Sequence, residues 1–421
     1  MLSTIKIALL DETQRIWFVR SDAGTYAPHF KSGELIATDY LSDIFDESTL
    51  TELPSHEEIR RKLLSNEKFS EFKYDKKEDR EVKILNAAGA KRQVAINKFK
   101  TEISPGDLVV TKTNAGGFMF GICSFGEAYV SSVPVTLAAA EAEGATFQDK
   151  IKLKYSLRKS VVWGPTVRED EIPKVLKNSL ARNTLTEISH LKEIVYHLLY
   201  PFFTDGKNLY FSNRIRSTEE INSAVIGKLF QNISMVGPLV SAILSGNDIN
   251  PSELIAEVER SIFSDAILST SKADFMSPGN TWSKIPLLGS ITPQTLATAV
   301  VACLLVTGMT SIHDMETALA EASYASRASE ANDESPPAKS ESKESDGLFN
   351  DKFKDGEDGA SAEIERINES LRRQHKALTK LSDDTYAKAI NDSLKLEVAQ
   401  PQTAKLENFE YGIKLQNIWR R

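Results

Sequence analysis

The chain of 421 residues carries 51 lysines and arginines against 59 aspartates and glutamates, a formal net charge of −8, with only two cysteines. Such a length supports roughly two to four domains and at least one sizeable core. With 41% hydrophobic and 26% charged residues the composition excludes collagen-like, disulfide-rich and wholly disordered chains, and the net charge excludes coating of nucleic acid through bulk electrostatics while leaving room for a local basic groove. The opening Met1–Asp11 has no basic leader and too short an apolar core for a secretory signal. Cys123 and Cys303 belong to no Cys-x-x-Cys pair, so no disulfide framework or zinc ribbon is indicated and a reducing, cytoplasmic setting is expected.

The first half reads as β-rich. Arg15–Arg20 (Arg-Ile-Trp-Phe-Val-Arg) predicts a strand, ended by Ser21-Asp22-Ala23-Gly24, where glycine can supply a positive φ. Ser55 and Glu58 have the spacing of a capping box, which predicts a helix from His56. Ser104-Pro105-Gly106-Asp107 turns the chain into Leu108–Thr113, Asn114-Ala115-Gly116-Gly117 predicts a hairpin turn, and Phe118–Cys123 returns. Leu153–Trp163 is a further strand signal. Short strands with glycine turns and inserted helices predict a small curled barrel.

These residues carry a resemblance. Ile16–Arg20, Gly24 and Tyr26/Phe30 resemble the opening of the PUA-like (EVE-like) domain that precedes Mrr-type restriction endonucleases. Pro105–Val110 with Phe120-Gly121-Ile122 is similar to that family's central hairpin. Arg158, Val161, Trp163, Val167 and Arg168, followed by Ile172-Pro173, Leu176–Leu180 and Thr184, resemble its closing strand and helix. The match spans residues 14–188 and is interrupted by a charged insertion over residues 66–100. The resemblance implies a PUA-like β-barrel over residues 1–188 whose mouth binds nucleic acid, DNA rather than RNA, and grips an extruded, modified base. A flipped base needs an aromatic plane to stack on and polar groups along its edge, and an arginine beside it can meet phosphate or pair with a base. The candidates are Trp17, Arg20, Tyr26, Phe30, Trp163 and Arg168. The plain alternative is that both tryptophans are core and both arginines are surface charges.

The second half differs in kind. Residues 187–203 show the spacing of one helical face, Ile188, Leu191, Ile194, Val195, Leu198 and Leu199, up to Pro201. His190 and His197 on it are too widely spaced for a helical zinc motif, so no metal is expected. Leu209–Ile215 alternates like a strand, Ser217–Glu220 has capping-box spacing, and Asn250-Pro251 places a cap and a first-turn proline. Residues 285–312 hold no charge, and a helix is predicted from Thr292-Pro293 to Gly308, apolar all round. At about 24 Å it falls short of a ~30 Å hydrocarbon core, so a buried helix is preferred to membrane contact through Thr292–Gly308, which would make the protein inner-membrane associated. Residues 189–322 are thus expected to form a mainly helical effector or assembly domain.

Residues 323–361 read as a disordered acidic linker. Between Ser329 and Asp358 lie ten acidic residues against four lysines, which is six of the eight net negative charges. Beyond it, Ala362–Leu381 carries Ile364, Ile367, Leu371, Leu378 and Leu381 near heptad spacing, with Gln374 in the seam. A helix for self-association, for a protein partner or for packing on its own body is predicted within the C-terminal segment 362–421. The expected architecture is therefore α+β: barrel, helical domain, linker and C-terminal helix.

No phosphate loop, nucleophile elbow or His-Glu-x-x-His is present, and beyond residue 188 no strand offers the Asp…Glu-x-Lys site of the resembling nucleases. The expectation is a non-enzymatic, cofactor-free nucleic-acid sensor coupled to an effector, in bacterial defence against phage. The alternatives are a hydrolase or nuclease in the second half, using Asp205, Glu219, Glu220 or His197, and an interaction scaffold.

Overall fold

The computed structural model describes residues 6–46, 50–76, 79–124, 126–138, 150–179, 183–274, 279–287, 292–310, 369, 372–398, 406 and 415–417. It is a mixed α/β structure in two compact units, one of Asp11–Leu199 with Pro401–Ile413, the other of Met1–Leu10, Tyr200–Gln400 and Lys414–Arg421. The chain opens with β1 (Lys6–Leu9), which belongs to the second unit. The boundary near residue 200 lies beyond the expected 188. Tyr196 donates to Gln14 at 2.8 Å and Lys192 donates to the carbonyls of Asp11 and Glu12, bonds that hold the 192–199 helix in the first unit.

In the first unit β2 (Ile16–Val19) is buried at every position, as a strand covered on both faces must be. It is followed by α1 (Ala27–Ser32), β3 (Leu35–Thr38), α2 (His56–Ser65), β4 (Ser70–Asp75), β5 (Arg80–Leu85) and α3 (Ala87–Asn97). Next come β6 (Leu108–Lys112), β7 (Phe118–Cys123), β8 (Tyr129–Val130), β9 (Leu157–Val167), α4 (Lys174–Ser179), β10 (Leu185–Glu187) and α5 (Lys192–Leu199). The main sheet has the order β10-β2-β6-β7-β9-β3, with β8 also on β9, and β2 is parallel to β6. The eleven-residue β9 pairs β3 and β8 through its first half and β7 through its second, so one strand carries the sheet around the curl. A register shift between Met119 and Gly121 adds local bend. Gly121 permits it: a Cβ there would lie 2.7 Å from the Trp163 ring. Among the described residues β10 and β3 do not pair, so the expected barrel is an open, curled sheet. The Ser55–Glu58 capping box and the turn at Gly116 are present as expected. β4 and β5 form a separate two-stranded sheet.

The second unit carries helices as expected and also a sheet, of which only the strand at 209–215 was expected. Its seven-stranded sheet has the order β13-β14-β12-β11-β1-β16, with β15 on β12, where β11 is Phe202–Thr204, β12 Asn208–Ile215, β13 Thr270–Asp274, β14 Gly279–Pro286, β15 Leu396–Val398 and β16 Leu415–Asn417. The polar composition of β13 and the small residues of β14 hid two of these strands. The helices are α6 (Ser223–Ser234), α7 (Val236–Ser245), α8 (Pro251–Ser261), α9 (Pro293–Val306), α10 (His375–Asp384) and α11 (Ala387–Leu394). Asn250 caps α8 as expected, whereas α6 begins at an Asn222 cap rather than at Ser217.

Helix α9 starts at the Thr292–Thr295 capping box, and Leu296–Val306 are at most 5% exposed, packed in one core with α6, α7 and β12. Among the described residues no helix is long and apolar enough to cross a membrane. Leu378 and Leu381 are fully buried in the same core, and Gln374 accepts from the Ile249 N–H and donates to the Asn247 carbonyl, so this part of the expected association helix packs on its own unit. The acidic linker and the side chains of Ile364, Ile367 and Leu371 lie outside the described residues.

Candidate functional site

Three of the six sequence-derived residues cannot present a ring to a base. Trp17 and Phe30 are 0% exposed and Trp163 3%, all in one hydrophobic cluster. The Trp17 indole donates to Asp107 Oδ2 at 2.9 Å, and the Trp163 indole donates to the carbonyls of Phe30 (2.8 Å) and Leu35 (3.3 Å), so both polar tips are used internally. They are core residues. Arg168 is exposed and bridges to Asp170 and Glu171 just past the end of β9. Arg20 is exposed at the end of β2, its main-chain N–H bonded to the Thr184 carbonyl. Tyr26 alone among the six combines partial exposure with a cluster of other aromatic groups.

The backbone delivers Tyr26 through three consecutive positive-φ residues, Asp22, Ala23 and Gly24. At Gly24 (φ +99°) a Cβ would lie 2.3 Å from the backbone of Thr113 and Asn114, so only glycine lets this turn seat on the β6–β7 hairpin. Ser21 Oγ donates to the Lys112 carbonyl at 2.7 Å and pins the same approach.

The Tyr26 ring stands edge-on to Tyr155, with centroids 5.0 Å apart, and to His29 at 5.7 Å. His29 is buried, and its Nε2 lies 2.7 Å from the Ile151 carbonyl, which can only accept; Nε2 therefore carries the proton and ties α1 to the segment leading into Tyr155. Burial pushes the half-exposed Tyr155 hydroxyl far above the ordinary tyrosine range, and the neighbouring Tyr26, Asp39 and Asp22 push it further.

Asp39, partly exposed just after β3 and one of the charges that raise the Tyr155 hydroxyl, belongs to a second group. Its carboxylate is 3.9 Å from the Arg92 guanidinium, which lies 5.5 Å over the rings of both Tyr40 and Phe69 and bridges to Asp43. Burial raises the Tyr40 hydroxyl, opposed by its bond with Thr184.

A basic ribbon leads into the pair. In Lys150-Ile151-Lys152-Leu153-Lys154-Tyr155 the three lysines are exposed, while Leu153 is fully buried and bonds Val135 in both directions at 3.0 Å. Buried Arg158 donates to the Tyr155 carbonyl at 2.9 Å and to the Val133 carbonyl at 2.6 Å, fixing the chain where it leaves the site. The arrangement offers aromatic contact, a carboxylate acceptor and three adjacent cations. Sequence reasoning missed Tyr155, Asp39 and Arg92; the lysines alternate before Tyr155, but nothing in the sequence pairs Tyr155 with Tyr26.

In the second unit Asp205 accepts from the N–H groups of Lys207 and Asn208, the Asn208 amide and the Tyr210 hydroxyl, so it shapes the β11–β12 turn. Burial would raise its carboxyl, yet these bonds hold it below the usual range. His197, in the first unit, is buried. The described residues contain no group of three or more His, Cys, Asp or Glu side chains placed to hold a metal. No protein-family model, curated protein or solved structure matches this chain, and the Tyr26–Tyr155 cluster is the feature on which a functional reading rests.

Proposed function

We propose that residues 11–199 are a PUA-like reader that takes one unstacked base of a nucleic acid against Tyr26 and Tyr155, with the second unit as the effector it controls. The observation that carries this is the partly exposed tyrosine pair, 5.0 Å apart, at the end of an exposed lysine ribbon. A base removed from its stack needs aromatic contact, and an exocyclic amino group needs an acceptor such as the Asp39 carboxylate. The phosphates flanking it need cations, which Lys150, Lys152 and Lys154 supply. The buried tryptophans support the site from behind through the core they share with α1 and β3. The resemblance to the domain preceding restriction endonucleases extends this reading to a sensor of modified or foreign DNA.

The test is fluorescence anisotropy of labelled DNA duplexes carrying one modified or one mismatched base. Tyr155→Ala is expected to weaken binding by about 1–3 kcal/mol, the usual worth of one base–aromatic contact. Lys152→Glu with Lys154→Glu is expected to weaken all sequences alike and to lower the salt slope by about one for each phosphate that is no longer neutralised. Equal affinities for wild type and Tyr155→Ala would remove the proposal.

A further inference from the structure

Among the described residues of the first unit the β4–β5 ribbon is the most exposed aromatic feature. Phe72 is 67% exposed and Tyr74 55%, although aromatic rings are the groups a fold gains most by burying. Strand parity puts both on one face, and the register sets Lys83 opposite Phe72, with its ammonium 5.6 Å from the ring centroid. The Tyr74 hydroxyl donates to Asp79 at the turn, which steadies that ring. The other face carries half-buried Val82 and Ile84, and the ribbon packs against α2 and α3.

Charge points to the kind of partner. Over residues 56–100, which span α2, the ribbon and α3, there are thirteen lysines and arginines against eight aspartates and glutamates, an excess of five positive charges in a chain whose net charge is −8. A second copy of this basic segment would be repelled by it, and a polyanion attracted. The ribbon Ser70–Leu85 itself carries five basic and five acidic residues, so the excess lies in α2, α3 and their flanks, against which the ribbon packs. Two exposed rings in line on one strand face, with Lys83 beside Phe72, match the requirements of an unpaired strand: each ring can stack a successive base, and the neighbouring cations can meet phosphates.

We propose that the β4–β5 ribbon is a second nucleic-acid surface, which stacks unpaired bases of a single strand on Phe72 and Tyr74 without reading their identity. It uses no residue of the Tyr26–Tyr155 cluster, and the two assignments fail separately.

The experiment is anisotropy of the full chain with a labelled oligothymidylate, which offers stacking and phosphates but no modified base. Wild type binds it, and Phe72→Ala with Tyr74→Ala weakens binding by about tenfold or more. The same pair leaves unchanged the ratio of affinities for duplexes with and without a modified base. Lys83→Glu, a polar exchange at a half-buried site, weakens binding and lowers the salt slope by about one. The proposal is overturned if the double variant binds as wild type does, if wild type binds no single strand, or if the two rings govern only a concentration-dependent self-association.

Discussion

Asp107 shows how a single carboxylate can organise a strand pair. It is 5% exposed and accepts from the Trp17 indole at 2.9 Å, the Arg15 N–H at 3.1 Å and the Ser104 N–H at 2.8 Å. Asp107→Ala would leave three donors without their acceptor at the β2–β6 junction. A loss of roughly 2–5 kcal/mol is expected in urea denaturation followed by tryptophan fluorescence; a loss below about 1 kcal/mol would mean that solvent replaces the carboxylate. Lys159 is a different case: fully buried, it donates to the main-chain carbonyls of Ile103 and Lys100, and burial lowers its pKa from the ordinary 10.5. The unfolded chain then binds more protons between the lowered value and 10.5, so this group's contribution to stability rises with pH across that interval and is level on either side. Lys159→Met removes the dependence. The difference in unfolding free energy, wild type minus variant, should rise with pH in the alkaline range. A difference that stays flat would show that Lys159 is not desolvated.

At the scale of elements, legibility followed local chemistry. β2, β6 and β7 are runs of β-branched and aromatic residues and could be read directly, as could the Asn250-Pro251 start of α8 and the Thr292 cap of α9. β13 and β14 could not: Thr-Ser-Lys-Ala-Asp lies at a sheet edge, and the inward positions of β14 include Gly279, Thr281 and Ser283, which are buried without being apolar. The tyrosine site was illegible for another reason, since Tyr26 and Tyr155 are 129 positions apart and only the folded chain brings their rings together. Helix α10 marks the limit of heptad reasoning, because Leu378 and Leu381 repeat as an association seam would yet fill their own unit's core. Leu381→Ala is therefore expected to cost about 2–5 kcal/mol in chemical denaturation with no change in sedimentation. A shift in oligomeric state with unaltered stability would restore the seam.

At the scale of the whole molecule, charge is segregated along the chain rather than balanced. Residues 56–100 carry an excess of five positive charges, residues 329–358 an excess of six negative ones, and the exposed lysines at 150, 152 and 154 add to the basic side. In one chain an acidic segment offsets part of the positive charge that a polyanion meets, and it lowers the field that draws a polyanion in from a distance. Both effects act through solvent and are screened within about 10 Å at 0.1 M salt. Deleting residues 329–358 removes six of the eight net negative charges while touching none of the described core. The shortened chain should elute from immobilised heparin at higher salt than the full chain and associate faster with labelled DNA at low ionic strength. The rate advantage should fade as salt is raised, because salt screens the charge that the deletion removes. If the two chains elute together, the acidic segment does not oppose the basic surfaces, and the segregation has no bearing on how this protein meets a polyanion.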